Sequence, residues 1–309
     1  MEEFIGFKST VNGFMKRADK NALSHAHLII GPEGIGKSII ARMFALKILG
    51  KKLDHDYADI IHYRPEKASF GVDEVRKIIE EVSKRPYEGS KKVIIIHQGS
   101  KLTVQAQNAL LKTIEEPPVG VYIILLSESL ELLLDTIKSR CQIYKLTPLN
   151  KEDMLKYIEG LGELDKEKIL VALAYGEGIP GRAQRILKDD GLHELRNIII
   201  ELFVETNKRN SNTIIEYEKK FIKYKNEKEE ILRLIASFIR DIIVYKELKD
   251  KNRIINIDKI NKISELSNLL SYNKLNMMLG HVEEGKTNFE NNISYSMTIS
   301  VMLIGFLEG

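Results

Sequence analysis

The stretch Gly31-Pro-Glu-Gly-Ile-Gly36-Lys37-Ser38 has the residue types and spacing to hold a phosphate chain. It follows the pattern G-x-x-x-x-G-K-[ST], in which glycines let consecutive backbone N–H groups wrap phosphate oxygens. Gly31, Gly34 and Gly36 supply that freedom here, Lys37 would reach the β- and γ-phosphates, and the Ser38 hydroxyl would ligate Mg²⁺. The pattern needs a strand before it and a helix after it, because the helix N-terminus adds a positive dipole end. Both are legible, as the apolar run Leu28-Ile29-Ile30 and the helical stretch Lys37 to Leu49. The expected ligand is ATP or ADP with Mg²⁺.

Hydrolysis asks for more than binding. An acidic residue at the end of a neighbouring strand holds the metal shell, and a second polarises the attacking water. The run Val93-Ile-Ile-Ile96 is in the right place, but His97-Gln98 follows it. A neutral imidazole adds no negative charge beside Mg²⁺, and Gln has no carboxylate to accept a proton. The expectation is a site that binds nucleotide and hydrolyses it poorly, unless an acid elsewhere substitutes.

The elements that must position these residues follow a regular alternation. Strand patterns at 28–30, 59–62, 93–96, 122–126 and 142–146 are interleaved with helical patterns at 37–49, 72–83 and 103–116, the last stopped by Pro117-Pro118. A further helix from Ser129 to Lys138 is expected before the fifth strand. This alternation predicts an α/β domain over residues 1–150, with a parallel five-stranded sheet covered on both faces. Beyond Pro148-Leu149-Asn150 no strand pattern remains. A small helical lid is expected over 151–200, punctuated by the loop from Tyr175 to Gly181, and a helical domain over 201–309 with polar breaks near Asn207–Asn212, Lys246–Arg253 and Gly285–Asn292. The stretch Lys219 to Lys228 alternates with Glu and aromatics and reads as a solvated helix face.

Bulk composition excludes several classes. Lys+Arg exceed Asp+Glu by 47 to 44 over 309 residues, a net charge of +3 and too balanced for a free-standing nucleic-acid binder. Any DNA contact is expected to be local or shared with partner subunits. Cys141 is the sole cysteine, which leaves no internal disulfide and no multi-cysteine zinc site, as suits a reducing cytoplasm. The start MEEFIGFKST lacks a signal-peptide pattern, and the longest apolar runs are strand-length, so a soluble cytoplasmic protein without membrane contacts is expected. The histidines at 25, 27, 55, 62, 193 and 281 show no metal-ligand spacing and read as structural or surface residues.

Two longer strings carry a family resemblance. Thr103-Val-Gln-Ala-Gln-Asn108-Ala-Leu-Leu-Lys112-Thr-Ile-Glu115-Glu-Pro-Pro118 resembles the signature helix of bacterial clamp-loader AAA+ subunits. Ser139-Arg140-Cys141, in the context D-T-I-x-S-R-C-Q, resembles the S-R-C arginine-finger motif of the same family. His25-Ala-His27-Leu-Ile-Ile before the glycine-rich loop and Gly178-Ile-Pro-Gly-Arg182-Ala in the lid also fit. The resemblance covers the first 190 residues, and the rest matches only in being helical. It implies an α/β P-loop AAA+ domain, an all-α lid and an all-α collar, in a ring that opens a sliding clamp and closes it on primed DNA. By resemblance, Ser127 occupies the polar sensor position, Arg182 the lid position that approaches the phosphates, and Arg140 is the finger acting in trans. On the residues alone, Ser127 also reads as a strand-capping hydroxyl, Arg182 equally as a solvated helix-start residue, and the lesser alternative for Arg140 is a partner for a surface carboxylate.

Within that family the motor subunits, gamma and tau, keep the acidic pair and usually carry a cysteine-ligated zinc module after the first helix. This chain has neither, and residues 50–60 contain no cysteine. Delta subunits generally lack S-R-C. Loss of the acids with retention of the finger resembles the delta-prime kind, a stator in the clamp loader of the DNA polymerase III holoenzyme. The resemblance then implies gamma/tau and delta as partners and no zinc. A catalytically active motor subunit is the alternative.

Overall fold

The computed structural model describes residues 5–52, 55–65, 69–206 and 212–308. The chain forms two compact units, one running up to Tyr157 with Gly178–Gly181 added, the other made of Ile158–Glu177 and everything from Arg182 onward. Compactness therefore gives one division near residue 157, whereas the sequence reading divides the chain at 150 and 200.

The first unit begins with α1 (Lys8–Asp19), followed by β1 (Ala26–Ile30), α2 (Lys37–Leu49), β2 (Ile60–Tyr63), α3 (Val72–Ser83) and β3 (Lys92–Ile96). It continues with α4 (Val104–Glu115), β4 (Val121–Ser127), α5 (Asp135–Lys138) and β5 (Gln142–Lys145). The five strands are all parallel, in the order β2-β3-β4-β1-β5. Alternate residues of each strand feed opposite cores. Leu28, Ile94, Ile96 and Ile123 pack with Val75, Ile78 and Leu110 from α3 and α4. Ile29, Val93, Ile95 and Ile124 pack with Phe14 and Phe44 from α1 and α2. Burial on both faces is why Leu28–Ile30 of β1 and Val93–Ile96 of β3 read as unbroken apolar runs. Because β1 lies between β4 and β5, the chain leaves it toward one side of the sheet and later returns on the other. That switch gathers the C-terminal ends of β1, β3 and β4, where open α/β sheets hold ligands.

Two features differ from the sequence reading. Helix α1 is unannounced, since its only fully buried side chain is Phe14, which stacks on Phe44 with ring centroids 3.6 Å apart. The helix expected from Ser129 to Lys138 is confined to Asp135–Lys138. The Gln107 side chain of α4 explains this. Its amide donates to the carbonyls of Leu102 and Leu132 (3.1 Å each) and its Oε1 accepts from the Leu134 N–H (2.8 Å), pinning residues 132–134 as a loop.

After Leu149, α6 (Lys151–Glu159) leads into the second unit, which contains α7 (Lys166–Gly176), α8 (Pro180–Lys188) from Arg182 onward, α9 (Asp190–Glu205), α10 (Asn212–Phe221), α11 (Lys228–Leu248), α12 (Ile260–Leu269), α13 (Tyr272–Glu290) and α14 (Tyr295–Glu308). No strand occurs there among the described residues. The break expected near Asn207–Asn212 lies, up to residue 211, outside the described residues. α11 ends within the second expected break, where Lys249 turns left-handed. The third expected break begins too early, for α13 stays helical through Gly285 to Glu290. Gly285 lies buried inside this helix, facing Leu232 of α11. The lysine-rich stretch is only partly a regular helix. It kinks at Tyr224, and Phe221 and Tyr224 are buried while Lys223 and Lys225 face solvent. Among the described residues no helix is long and apolar enough to cross a membrane.

Candidate functional site

The glycine-rich loop leaves β1 and enters α2 through two left-handed residues, Gly34 (φ +81°) and Gly36 (φ +104°), which a side chain would strain. Gly31 is fixed by proximity instead, as a Cβ there would fall 2.6 Å from the Leu146 carbonyl oxygen. Its N–H donates to the Ser127 carbonyl at 3.2 Å, tying the loop to the end of β4. Gly36 caps α2 without a side-chain acceptor, so the first amides of that helix are left for an external anion. Gly181 donates its N–H to the Gly34 carbonyl at 2.9 Å, and a Cβ at 181 would sit 2.8 Å from the Gly34 Cα. The glycine of G-I-P-G is therefore demanded by close backbone approach to the loop.

The Lys37 ammonium lies over its own loop, donating to the carbonyls of Gly31 (2.6 Å) and Pro32 (2.9 Å). Burial lowers its pKa, opposed by the carboxylates of Glu128 and Glu33. Ser38 Oγ stands 3.5 Å from His97 Nδ1, and His97 Nε2 is 3.0 Å from His62 Nδ1. Burial brings the His97 pKa down to about 4, with Arg64 and His62 adding to the effect, and burial lowers His62 too. Both rings are neutral at pH 7, so one ring N–H serves the contact between them. Gln98 is exposed and left-handed (φ +52°).

These residues fit the phosphates of a nucleotide, with an uncapped helix start, two left-handed glycines and a lysine poised over them. The metal side is less complete, because the Ser38 hydroxyl faces an imidazole where a carboxylate would be useful. Ser127 is buried and its Oγ donates to the Ser129 carbonyl at 3.0 Å, the contact expected of a strand-capping hydroxyl.

Arg140 is held away from the loop. Its guanidinium donates to the Thr136 carbonyl and to Glu115 Oε1, both at 3.1 Å, and its side chain remains about one-third exposed. The carboxylate partner comes from the E-E-P-P end of α4. Cys141 beside it is half-buried, and burial pushes its thiol up to about 12, so it is neither a nucleophile nor a ready metal ligand. Arg182 belongs to the second unit and pairs with Glu177 at 3.1 Å.

Three neighbours escaped the sequence reading: His62 behind His97, Glu115 on Arg140, and Glu128 acting on Lys37. His62 carried the one usable signal, since it lies in a strand pattern that runs toward the same end as His97.

Two family models match the chain. One is described as DNA polymerase III, delta subunit, over residues 6–150, and the other as DNA polymerase III, delta subunit, C terminal, over residues 191–306. DNA polymerase III subunit delta' of Haemophilus influenzae is 31% identical over 60% of this chain and 62% of that protein. The Escherichia coli subunit delta' is 27% identical over 73% of this chain and 66% of its own length. The chain thus spans slightly less than two thirds of those two relatives. The Bacillus subtilis subunit delta' is 25% identical over 94% and 93% of the two chains. A crystal structure of a gamma subunit-related protein from Thermotoga maritima shares the fold, with TM-score 0.50 and 15% identity over 96% of this chain and 98% of that one.

Proposed function

Because the chain belongs to the family of DNA polymerase III delta-prime subunits, we propose that it is the stator of a cytoplasmic clamp loader. It assembles with gamma/tau and delta, and through them serves the sliding clamp and primed DNA. In this reading the AAA+ unit holds ATP or ADP in the loop 31–38 without turning it over, and Arg140 serves the nucleotide of a neighbouring subunit. Arg182 approaches the phosphates from the lid, and Ser127 is the sensor. The observation that carries the reading is the neutral His97 against Ser38 beside an intact S-R-C.

Each residue has a definite task in this mechanism. The α2 amides and Lys37 bind the phosphates, Lys37 exchanging the Gly31 and Pro32 carbonyls for phosphate oxygens. Bound Mg²⁺ would supply Lewis acidity, and Ser38 is the residue that would hold it. His97 and Gln98 provide no carboxylate to take a proton from water, so turnover at this loop stalls. Arg140 carries a permanent planar charge. On assembly it trades Glu115 for the γ-phosphate oxygens across the subunit edge, where such a finger is worth roughly 10³–10⁵ in rate.

Steady-state hydrolysis by the purified chain tests the reading. Turnover far below the roughly 1 s⁻¹ lower end of ordinary enzymes is expected. In the motor-subunit alternative an acid elsewhere substitutes for the missing pair, and Glu128, the residue after Ser127, is one whose carboxylate acts on Lys37. Ordinary turnover that disappears in Glu128→Gln would establish that alternative instead.

A further inference from the structure

We infer that the loop 31–38 takes its nucleotide as the free di- or triphosphate, without a divalent cation. The inference rests on the nucleotide-binding reading above and changes the ligand that reading assumes. Mg²⁺ dehydrates reluctantly and demands near-octahedral oxygen ligands, usually with carboxylate charge close by. At this site the Ser38 hydroxyl lies 3.5 Å from His97 Nδ1, and His97 is backed by a second imidazole, His62, at 3.0 Å. Imidazole nitrogen suits zinc, copper, iron and nickel and is a poor match for Mg²⁺. The pair gives Mg²⁺ neither oxygen nor negative charge, and it engages the one hydroxyl the ion would need.

The phosphate side is independent of the metal. The Gly36 cap leaves the α2 amides without a side-chain acceptor, and Lys37 brings a full positive charge to the same place. The carboxylates acting on Lys37 are Glu33 and Glu128, both exposed. Neither makes a metal cluster with its neighbours, for among the described residues no group of three or more His, Cys, Asp or Glu is arranged to hold an ion.

The test is calorimetry on the full chain with ADP, once with excess Mg²⁺ and once with EDTA. The two dissociation constants should agree within about twofold, less than the tenfold that corresponds to 1.4 kcal/mol. Binding tenfold or more tighter with Mg²⁺ would overturn the inference while leaving the nucleotide reading intact. Heat in neither condition would overturn that reading and the inference with it. His97→Asp restores the strand-end carboxylate and should make binding at least tenfold Mg²⁺-dependent. An Asp variant as indifferent to Mg²⁺ as the parent would remove His97 as the cause.

Discussion

His27 is a completely buried imidazole near the start of β1. The Arg17 guanidinium donates to the Tyr144 hydroxyl oxygen at 3.3 Å, which leaves that hydroxyl to donate to His27 Nδ1, also at 3.3 Å. The ring is then neutral, with its proton on Nε2. Burial first, and Arg17 second, bring its pKa from 6.5 down to about 4, and the Ser24 backbone carbonyl opposes the lowering. In the unfolded chain the ring protonates near 6.5, in the folded chain only near 4, so between those values the unfolded state binds more protons. Its contribution is intact above pH 6.5 and is lost as pH falls toward 4. By pH 4.5 the loss from this residue amounts to about 2–3 kcal/mol. Urea unfolding at pH 7 and pH 4.5 would measure it, and His27→Gln should lose correspondingly less stability across the same interval. Equal losses in parent and variant would exclude His27 as the source. Lys37 and Ser38 show the same economy at the loop, each held by a contact that a phosphate or a metal would have to displace.

Helix α4 does more than carry a recognisable string. Its N-cap Thr103 accepts from the Ala106 N–H at 3.2 Å, and its Gln107 fixes the loop leading into α5, next to Arg140. Gln107→Leu would leave the Leu134 N–H and the Leu102 and Leu132 carbonyls without this buried partner. A destabilisation of about 1–3 kcal/mol is expected in denaturant titration, and Gln107→Glu, which keeps an acceptor for Leu134, should recover part of it. Elements of this kind also explain what could be read in advance. The central strands β1, β3 and β4 were legible because burial on both sheet faces writes apolar runs, the edge strands β2 and β5 and the helices α2, α3 and α4 from their place in the alternation, and Pro117-Pro118 marks a stop. α1 was not, because one buried phenylalanine leaves no periodic signature. The short α5 was not, because its length depends on a side chain some 27 residues earlier in sequence. The glycine-rich loop and His97 were picked out from spacing and position, and Arg140 from the family resemblance. The pairing of His97 with His62 depends on β2 lying beside β3, and that of Arg140 with Glu115 on how the end of α4 meets α5, and no single-chain spacing carries such neighbourhoods.

At the scale of the whole chain, an α/β unit with a glycine-rich loop accompanies a helical unit with its own buried polar supports. Arg196, fully buried, is held by Asp258 at 2.7 Å and by Asn256 at 3.1 Å, and Asn256 also bonds the buried Asp241 at 2.9 Å. The network holds four side chains together inside the helical unit, although the buried Arg196 Nε finds no acceptor among the described residues. In the proposed function this chain lends Arg140 to a neighbour's nucleotide while its own loop does not hydrolyse. Arg140 makes only half-exposed surface contacts, so Arg140→Ala should cost about 1 kcal/mol of stability or less and should assemble normally. The decisive measurement is steady-state ATP turnover by the ring reconstituted with gamma/tau and delta, carrying either the parent chain or Arg140→Ala. The expected result is loss of turnover at the one site this subunit faces, with slower clamp loading. Turnover unchanged by the substitution would contradict the account.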